Sequence, residues 1–159
     1  MLTAIKKIAN ILISKSWTLS TAESCTGGLI SAAITEMAGS SHFFKGAIIA
    51  YDNSIKTSLL NVKDEILMKF GAVSSQTVEE MVKGACIQLK TDCALSVSGI
   101  AGPGGGTLEK PVGLVYIGLK IKDQVWSFEH HFEGNRRQVR ICTVKSALLH
   151  LLYGMGNYK

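Results

Sequence analysis

Short β-prone runs alternate with longer segments of helical periodicity along this chain, and that alternation restricts the fold more than any other feature. Leu2, Ile5, Ile8, Ile11 and Leu12 fall at helical spacing within "LTAIKKIANILIS" (2–14). "WTLSTA" (17–22) is short and β-prone, and "GGLISAAITEMAG" (27–39) reads as a helix closed by Gly39. "GAIIAY" (46–51) is a continuous apolar run, the pattern of a buried strand. Short helices are expected over 54–60 and 64–70. A longer one over 76–90 is capped by Ser74 or Ser75, with Val78, Met81, Val82 and Ala85 inward. "CALSVSGI" (93–100) is a further strand, followed by the glycine-rich loop "AGPGGGTLEKP" (101–111). "VGLVYIGLKI" and "QVWSFEHHF" meet at Lys122-Asp123 and read as a hairpin, and 135–153 closes as a helix. The pattern predicts an α/β protein with helices on both faces of a mixed, mostly parallel sheet. No repeat or linker divides the 159 residues, so one domain over 1–159 is expected.

Composition excludes several classes. Hydrophobic residues make up 47% of the chain, ample for a core, yet no 18-residue apolar run suggests a membrane span. The lysine-containing N-terminus has neither a long apolar stretch nor a small-residue cleavage site, so no signal peptide is read and a cytoplasmic location is expected. The net charge of +5 favours an anionic partner. Basic residues are scattered, with no run of five, so neither a nucleic acid nor a membrane surface is expected as partner. Cys25, Cys86, Cys93 and Cys142 form no CxxC pair, and His42, His130, His131 and His150 show no metal-ligand spacing; no metal or cofactor is expected.

In an open α/β sheet, ligands bind outside the carboxyl ends of the strands. Three segments leave strand ends with unusual polar content: "AESCTGG" (22–28), "YDNSIK" (51–56) and "SGIAGPGGG" (98–106). If their strands are parallel neighbours, all three meet at one rim. Ser24 lies at a strand-to-helix turn, where free N–H groups can hold an oxyanion, although the GxSxG pattern is absent. The alternative is that Ser24 or Thr26 is a plain helix cap. Cys25 is the rival nucleophile, since a helix N-terminus lowers a thiol pKa, or else a small buried residue.

A serine nucleophile needs a base. No histidine falls in the three segments, but Lys56 does, with Tyr51 five residues earlier to orient it or relay a proton. Lysine acts as a base only when neutral, which demands burial or a nearby positive charge. The alternative is an exposed helix lysine and a strand-end tyrosine. The glycine-rich loop has N–H groups able to cradle an anion but matches neither GxGxxG nor the P-loop. Arg136, Arg137 and Arg140 open the last helix, where cations oppose the macrodipole, so one of them is a candidate to face an anion.

Taken in order, "AESCTGG", "GSS" (39–41), "YDNSIK", "GAVS" (71–74), "SGIAGPGGG", "KPVG" (110–113) and "GNR" (134–136) resemble the CinA C-terminal domain family over about residues 5–153. The resemblance implies a three-layer α/β/α sandwich and a metal-free serine amidohydrolase. The implied substrate is a phosphorylated nucleotide, nicotinamide mononucleotide, converted to nicotinic acid mononucleotide and ammonia in pyridine nucleotide salvage. It also implies Ser24 as nucleophile, Lys56 as general base and Tyr51 as its assistant. Ser41, Thr26, Gly27, Gly102, Gly105, Gly106 and Arg136 are implied to contact the substrate. A homo-oligomer, with a dimer favoured, is expected for the family.

Two positions depart from the family pattern. Asp52 stands where Ser or Thr is common, and Asn135 replaces the Asp of Gly-Asp-Arg. The first could alter the charge near Lys56. Many members carry an N-terminal molybdopterin-binding-like domain, and this chain resembles the stand-alone form. Three other readings stay open: a different amide substrate, a nucleotide-binding or regulatory module of the competence and DNA-damage type, and a cysteine hydrolase acting through Cys25.

Overall fold

The computed structural model describes residues 1–158. In chain order its elements are α1 (Leu2–Ser14), β1 (Leu19–Glu23), α2 (Leu29–Thr35), β2 (Phe44–Ile49), α3 (Asn53–Leu60), α4 (Asp64–Phe70), α5 (Ser75–Leu89), β3 (Cys93–Gly99), β4 (Leu114–Ile121), β5 (Gln124–His131) and α6 (Arg136–Asn157), with one short 3-10 turn at Ser40–His42. The strands form one sheet in the order β2-β1-β3-β4-β5. β1 pairs in parallel with β2 and β3, whereas β4 runs antiparallel to both β3 and β5. β4 alone therefore points against the other four, giving the mixed, mostly parallel sheet expected.

Helices cover both faces, which makes three layers. α1, α2 and α6 bury Ile5, Ile8, Leu12, Ile30, Ile34, Leu148 and Leu151 with Leu19, Leu95, Ile117 and Leu119 of the sheet. α3 and α5 bury Leu60, Met81, Val82 and Ala85 with Ala22 and Ala94 on the other side. The alternate placing of Leu19, Ala22, Ala94 and Leu95 follows from the period-two alternation of strand side chains. β1 is an interior strand, second from the β2 edge, and is buried throughout. α5 lies close against its neighbours: a Cβ on Gly118 would come 2.6 Å from the Val78 carbonyl oxygen, and one on Gly84 would come 2.7 Å from the Leu60 carbonyl carbon.

The helix ends follow local chemistry. Ser74, rather than Ser75, caps α5 by accepting from the Thr77 N–H at 3.2 Å. Asp52 caps α3, accepting from the N–H of Ser54 at 2.8 Å. Asn135 caps α6 in a reciprocal box with Gln138. The two departures from the family pattern are thus helix caps, where Ser, Thr, Asp and Asn serve alike.

Three expectations need correction. α2 is shorter than 27–39, because Gly27 (φ 58°) and Gly28 (φ 98°) are left-handed and shape a turn ahead of it. β2 is not a buried strand but an edge of the sheet, with Ile49 exposed. α6 continues past 153 to Asn157, with Leu151 and Met155 still buried.

Candidate active site

β2, β1 and β3 are parallel neighbours, and Glu23 at the end of β1 lies beside Ile49 and Val97. Their carboxyl ends therefore bring the 24–28, 50–56 and 98–102 segments to one rim. A cleft of about 190 Å³ opens there, lined by Ser24, Tyr51, Asn53, Lys56, Ser98 and Arg136 among others. Roomier grooves lie elsewhere, such as one of about 260 Å³ between β5 and α6 lined by Trp126, Phe128 and Tyr153. None of these holds a serine next to a buried amine.

Ser24 directly follows β1 and is 8% exposed. Its N–H donates to the Val97 oxygen at 3.0 Å, which fixes the turn to β3. The turn is held from below by Glu23, a residue the sequence reading did not single out. Its buried carboxylate accepts from Thr26 Oγ1 (2.7 Å), the N–H groups of Gly28 (3.0 Å), Ile30 (3.0 Å) and Ser31 (2.8 Å), and Thr21 Oγ1 (3.2 Å). A helix N-terminus is an anion site, and here the chain's own carboxylate fills it. Arg140 fixes the other side, donating to the backbone oxygens of Cys25 (3.1 Å) and Thr26 (2.7 Å).

These contacts decide which donors stay available. The Gly27 N–H bonds the Ser24 oxygen at 3.0 Å and the Gly28 N–H bonds Glu23. Of the 24–28 turn, only the N–H groups of Cys25 and Thr26 have no oxygen acceptor among the described residues, and both are directed at the Cys25 sulfur. The Thr26 side chain is buried on Glu23, and Gly27 faces Arg140, so neither belongs to the cleft as expected. Burial pushes the Cys25 thiol up to about 12, aided by Glu23 and only partly offset by backbone donors and Arg140. The thiol is buried and protonated, but it lines the cleft beside Ser24 and does not face away from it.

Lys56 sits in the first turns of α3 and is 1% exposed, which rules out the surface-lysine alternative. Its Nζ donates to the Tyr51 backbone oxygen at 3.2 Å and has no carboxylate in ion-pair contact among the described residues. Burial lowers its pKa, while Asp52 and Cys25 act in the opposite direction. Asp52 is fully exposed and is itself held below its ordinary value, chiefly by the hydroxyl and N–H of Ser54. No hydrogen bond joins Lys56 Nζ to Ser24 Oγ across the cleft; such contacts are often loose without substrate.

Arg136 closes one side. It donates through Nη1 to the Gly102 oxygen at 2.8 Å and through Nη2 to the Tyr51 hydroxyl at 3.0 Å. Gly102 contributes its carbonyl to this contact. Gly105 and Gly106 sit in the exposed part of the loop outside the cleft, with Gly106 against Val112. Ser41 is also misplaced as a site residue within this chain. It precedes β2 in the 3-10 turn, at the opposite rim, roughly 15–20 Å away by the strand's length. Asn53 and Ser98 line the cleft and were missed. Ser98 carries the signal of a polar residue in an apolar strand, and its hydroxyl donates to the Ala72 oxygen at 2.7 Å. No group of three or more His, Cys, Asp or Glu among the described residues is arranged to hold a metal.

The fold and site define an α/β/α domain with a serine and a buried lysine in a cleft at the strand carboxyl ends. The family profile described as CinA C-terminal domain matches residues 2–155. The chain is 51% identical over 150 residues to a CinA-like protein of Dictyoglomus thermophilum, covering 94% of this chain and 36% of that protein. A CinA-like protein of Fusobacterium nucleatum is 47% identical over 141 residues, covering 89% and 33%. The chain therefore spans about a third of the length of the curated relatives it matches. Among solved structures, the competence damage-inducible protein A of Klebsiella pneumoniae superposes with a TM-score of 0.95 at 32% identity, covering 99% of this chain and 98% of that one. A competence/damage inducible protein of Agrobacterium tumefaciens gives 0.88 at 41% identity, covering 97% and 96%. The chain belongs to the CinA C-terminal domain family.

Proposed function

We propose that this protein is a serine amidohydrolase that converts nicotinamide mononucleotide to nicotinic acid mononucleotide and ammonia. The observation that carries the reading is the sharing of one cleft by Ser24 and a buried lysine lacking a carboxylate partner. Burial favours the neutral amine, the form a base requires. In this reading Lys56 takes the proton of Ser24 Oγ, and Oγ attacks the carboxamide carbon. The N–H groups of Cys25 and Thr26 receive the oxyanion, each worth about 3 kcal/mol in sites of this kind. The Lys56 ammonium returns its proton to the departing nitrogen, and ammonia leaves an ester on Ser24. Water, deprotonated by Lys56, then cleaves the ester and regenerates the hydroxyl. Arg136 at the cleft mouth holds the substrate phosphate.

Ammonia release from nicotinamide mononucleotide by the wild type, set beside Ser24→Ala and Lys56→Ala, tests this. Turnover that disappears in both variants supports it, and undiminished turnover in Lys56→Ala refutes the base. A second reading, a nucleotide-binding or regulatory module, is favoured by the competence and damage wording in the names of the similar structures. It requires a wild type that binds the nucleotide and releases no ammonia.

A further inference from the structure

Tyr51 is tied at both ends. Its backbone oxygen accepts from Lys56 Nζ at 3.2 Å, and its hydroxyl accepts from Arg136 Nη2 at 3.0 Å. The residue lies in the short connection between β2 and α3, and its ring is largely in solvent, 61% exposed. Little core packing holds the phenol, so the bond to Arg136 is what orients it. One residue thus joins the buried amine to the arginine at the cleft mouth.

Arg136 is an unusual partner for a tyrosine. Both of its acceptors, the phenol and the Gly102 carbonyl, are uncharged, and no carboxylate pairs with it among the described residues. It is also the first residue of α6, where the helix dipole disfavours a cation. A phosphate dianion is a stronger acceptor than a phenol and matches the guanidinium fork with two bonds. It would therefore displace the Tyr51 hydroxyl from Nη2.

We infer that Tyr51 is a positioning relay: a phosphate seated on Arg136 releases the Tyr51 hydroxyl, and the resulting movement of the 50–52 connection readies Lys56 to take the serine proton. The phosphate then acts as an activator of the amide chemistry as well as a handle for binding. This inference rests on the amidohydrolase reading and goes beyond it by making turnover depend on occupancy of a site away from the carboxamide.

A substrate supplied in two pieces separates these roles. Nicotinamide riboside lacks the phosphate, and inorganic phosphite supplies a dianion in trans. Phosphite is expected to raise kcat/KM for the riboside about tenfold in the wild type, the effect of one hydrogen bond exchanged near the reacting groups. The ratio with and without phosphite is expected to fall to about one in Arg136→Ala and in Tyr51→Phe. Tyr51→Phe keeps the arginine, so phosphite should still inhibit its hydrolysis of nicotinamide mononucleotide competitively. Competitive inhibition of the wild type with no activation of riboside turnover overturns the relay, as does equal activation of Tyr51→Phe. A wild type that leaves nicotinamide mononucleotide intact overturns the amidohydrolase reading itself, and the relay with it.

Discussion

Replacing Lys56 by Met should make the protein more stable while destroying its activity. The amine is 1% exposed, holds one hydrogen bond to the Tyr51 oxygen at 3.2 Å, and is lowered in pKa mainly by burial. That depression is a cost to the folded state at pH 7, where the unfolded lysine is protonated. Methionine fills a similar volume and forfeits a bond worth about 1 kcal/mol. Replacing a buried ionisable group by an apolar one of similar volume commonly gains about 1–3 kcal/mol, or roughly 2–10 °C in Tm for a chain of this length. The pH dependence has a definite sign. Between the lowered folded pKa and the unfolded value near 10.4, the unfolded lysine carries more protons than the folded one. Wild-type stability therefore rises with pH across that window relative to Lys56→Met, and the advantage of the variant shrinks. Urea denaturation of both proteins at pH 7 and pH 10 measures this. A variant less stable than wild type at pH 7, with a difference that does not change by pH 10, would refute the argument that burial without a counter-ion disfavours protonation of Lys56 in the fold.

Further outcomes follow from the same geometry. Glu23→Gln should cost about 3–4 kcal/mol in urea denaturation, because the buried carboxylate that receives three backbone N–H groups loses its charge; a cost below about 1 kcal/mol would contradict that role. Gly84→Ala should destabilise by about 1–3 kcal/mol even though alanine is the better helix former, since its methyl would meet the Leu60 backbone; thermal melts give the sign. Cys25→Ala should keep ammonia release within about threefold of wild type, because its thiol is protonated at neutral pH, and a loss comparable to that of Ser24→Ala would restore the cysteine nucleophile. Arg140→Ala should lower kcat about tenfold through loosening of the 25–26 turn it holds, with KM the control that separates positioning from binding.

Much of the fold was legible in the sequence because its signals are local. Helical spacing marked α1 and α5, short β-prone runs marked β1 and β3, and Lys122-Asp123 marked the hairpin turn. The edge position of β2 was not legible, since the apolar run 46–51 looks the same whether one or two strands pair with it. The site was legible in part. Ser24, Tyr51 and Lys56 meet where the strand-end argument put them, joined by Arg136 from α6, while Thr26, Gly27, Gly105, Gly106 and Ser41 fall outside the cleft. Those misplacements share a cause: adjacency in a motif says nothing about which side of a turn, or which rim of a sheet, a side chain occupies.

The sequence by itself determined the α/β alternation, a serine cap at Ser74 or Ser75 ahead of α5, and the family. Each depends on residue type at short spacing, which backbone propensity and side-chain chemistry convert into structure without long-range information. Only the tertiary structure decided that Lys56 is buried without a counter-ion, that Glu23 claims the N-terminus of α2, and that Arg136 reaches Tyr51. The first and last depend on segments far apart in the chain, and the Glu23 contact on a turn at Gly27 and Gly28 that folds the chain back over the carboxylate, because solvation and pairing are set by whatever the fold brings alongside a group.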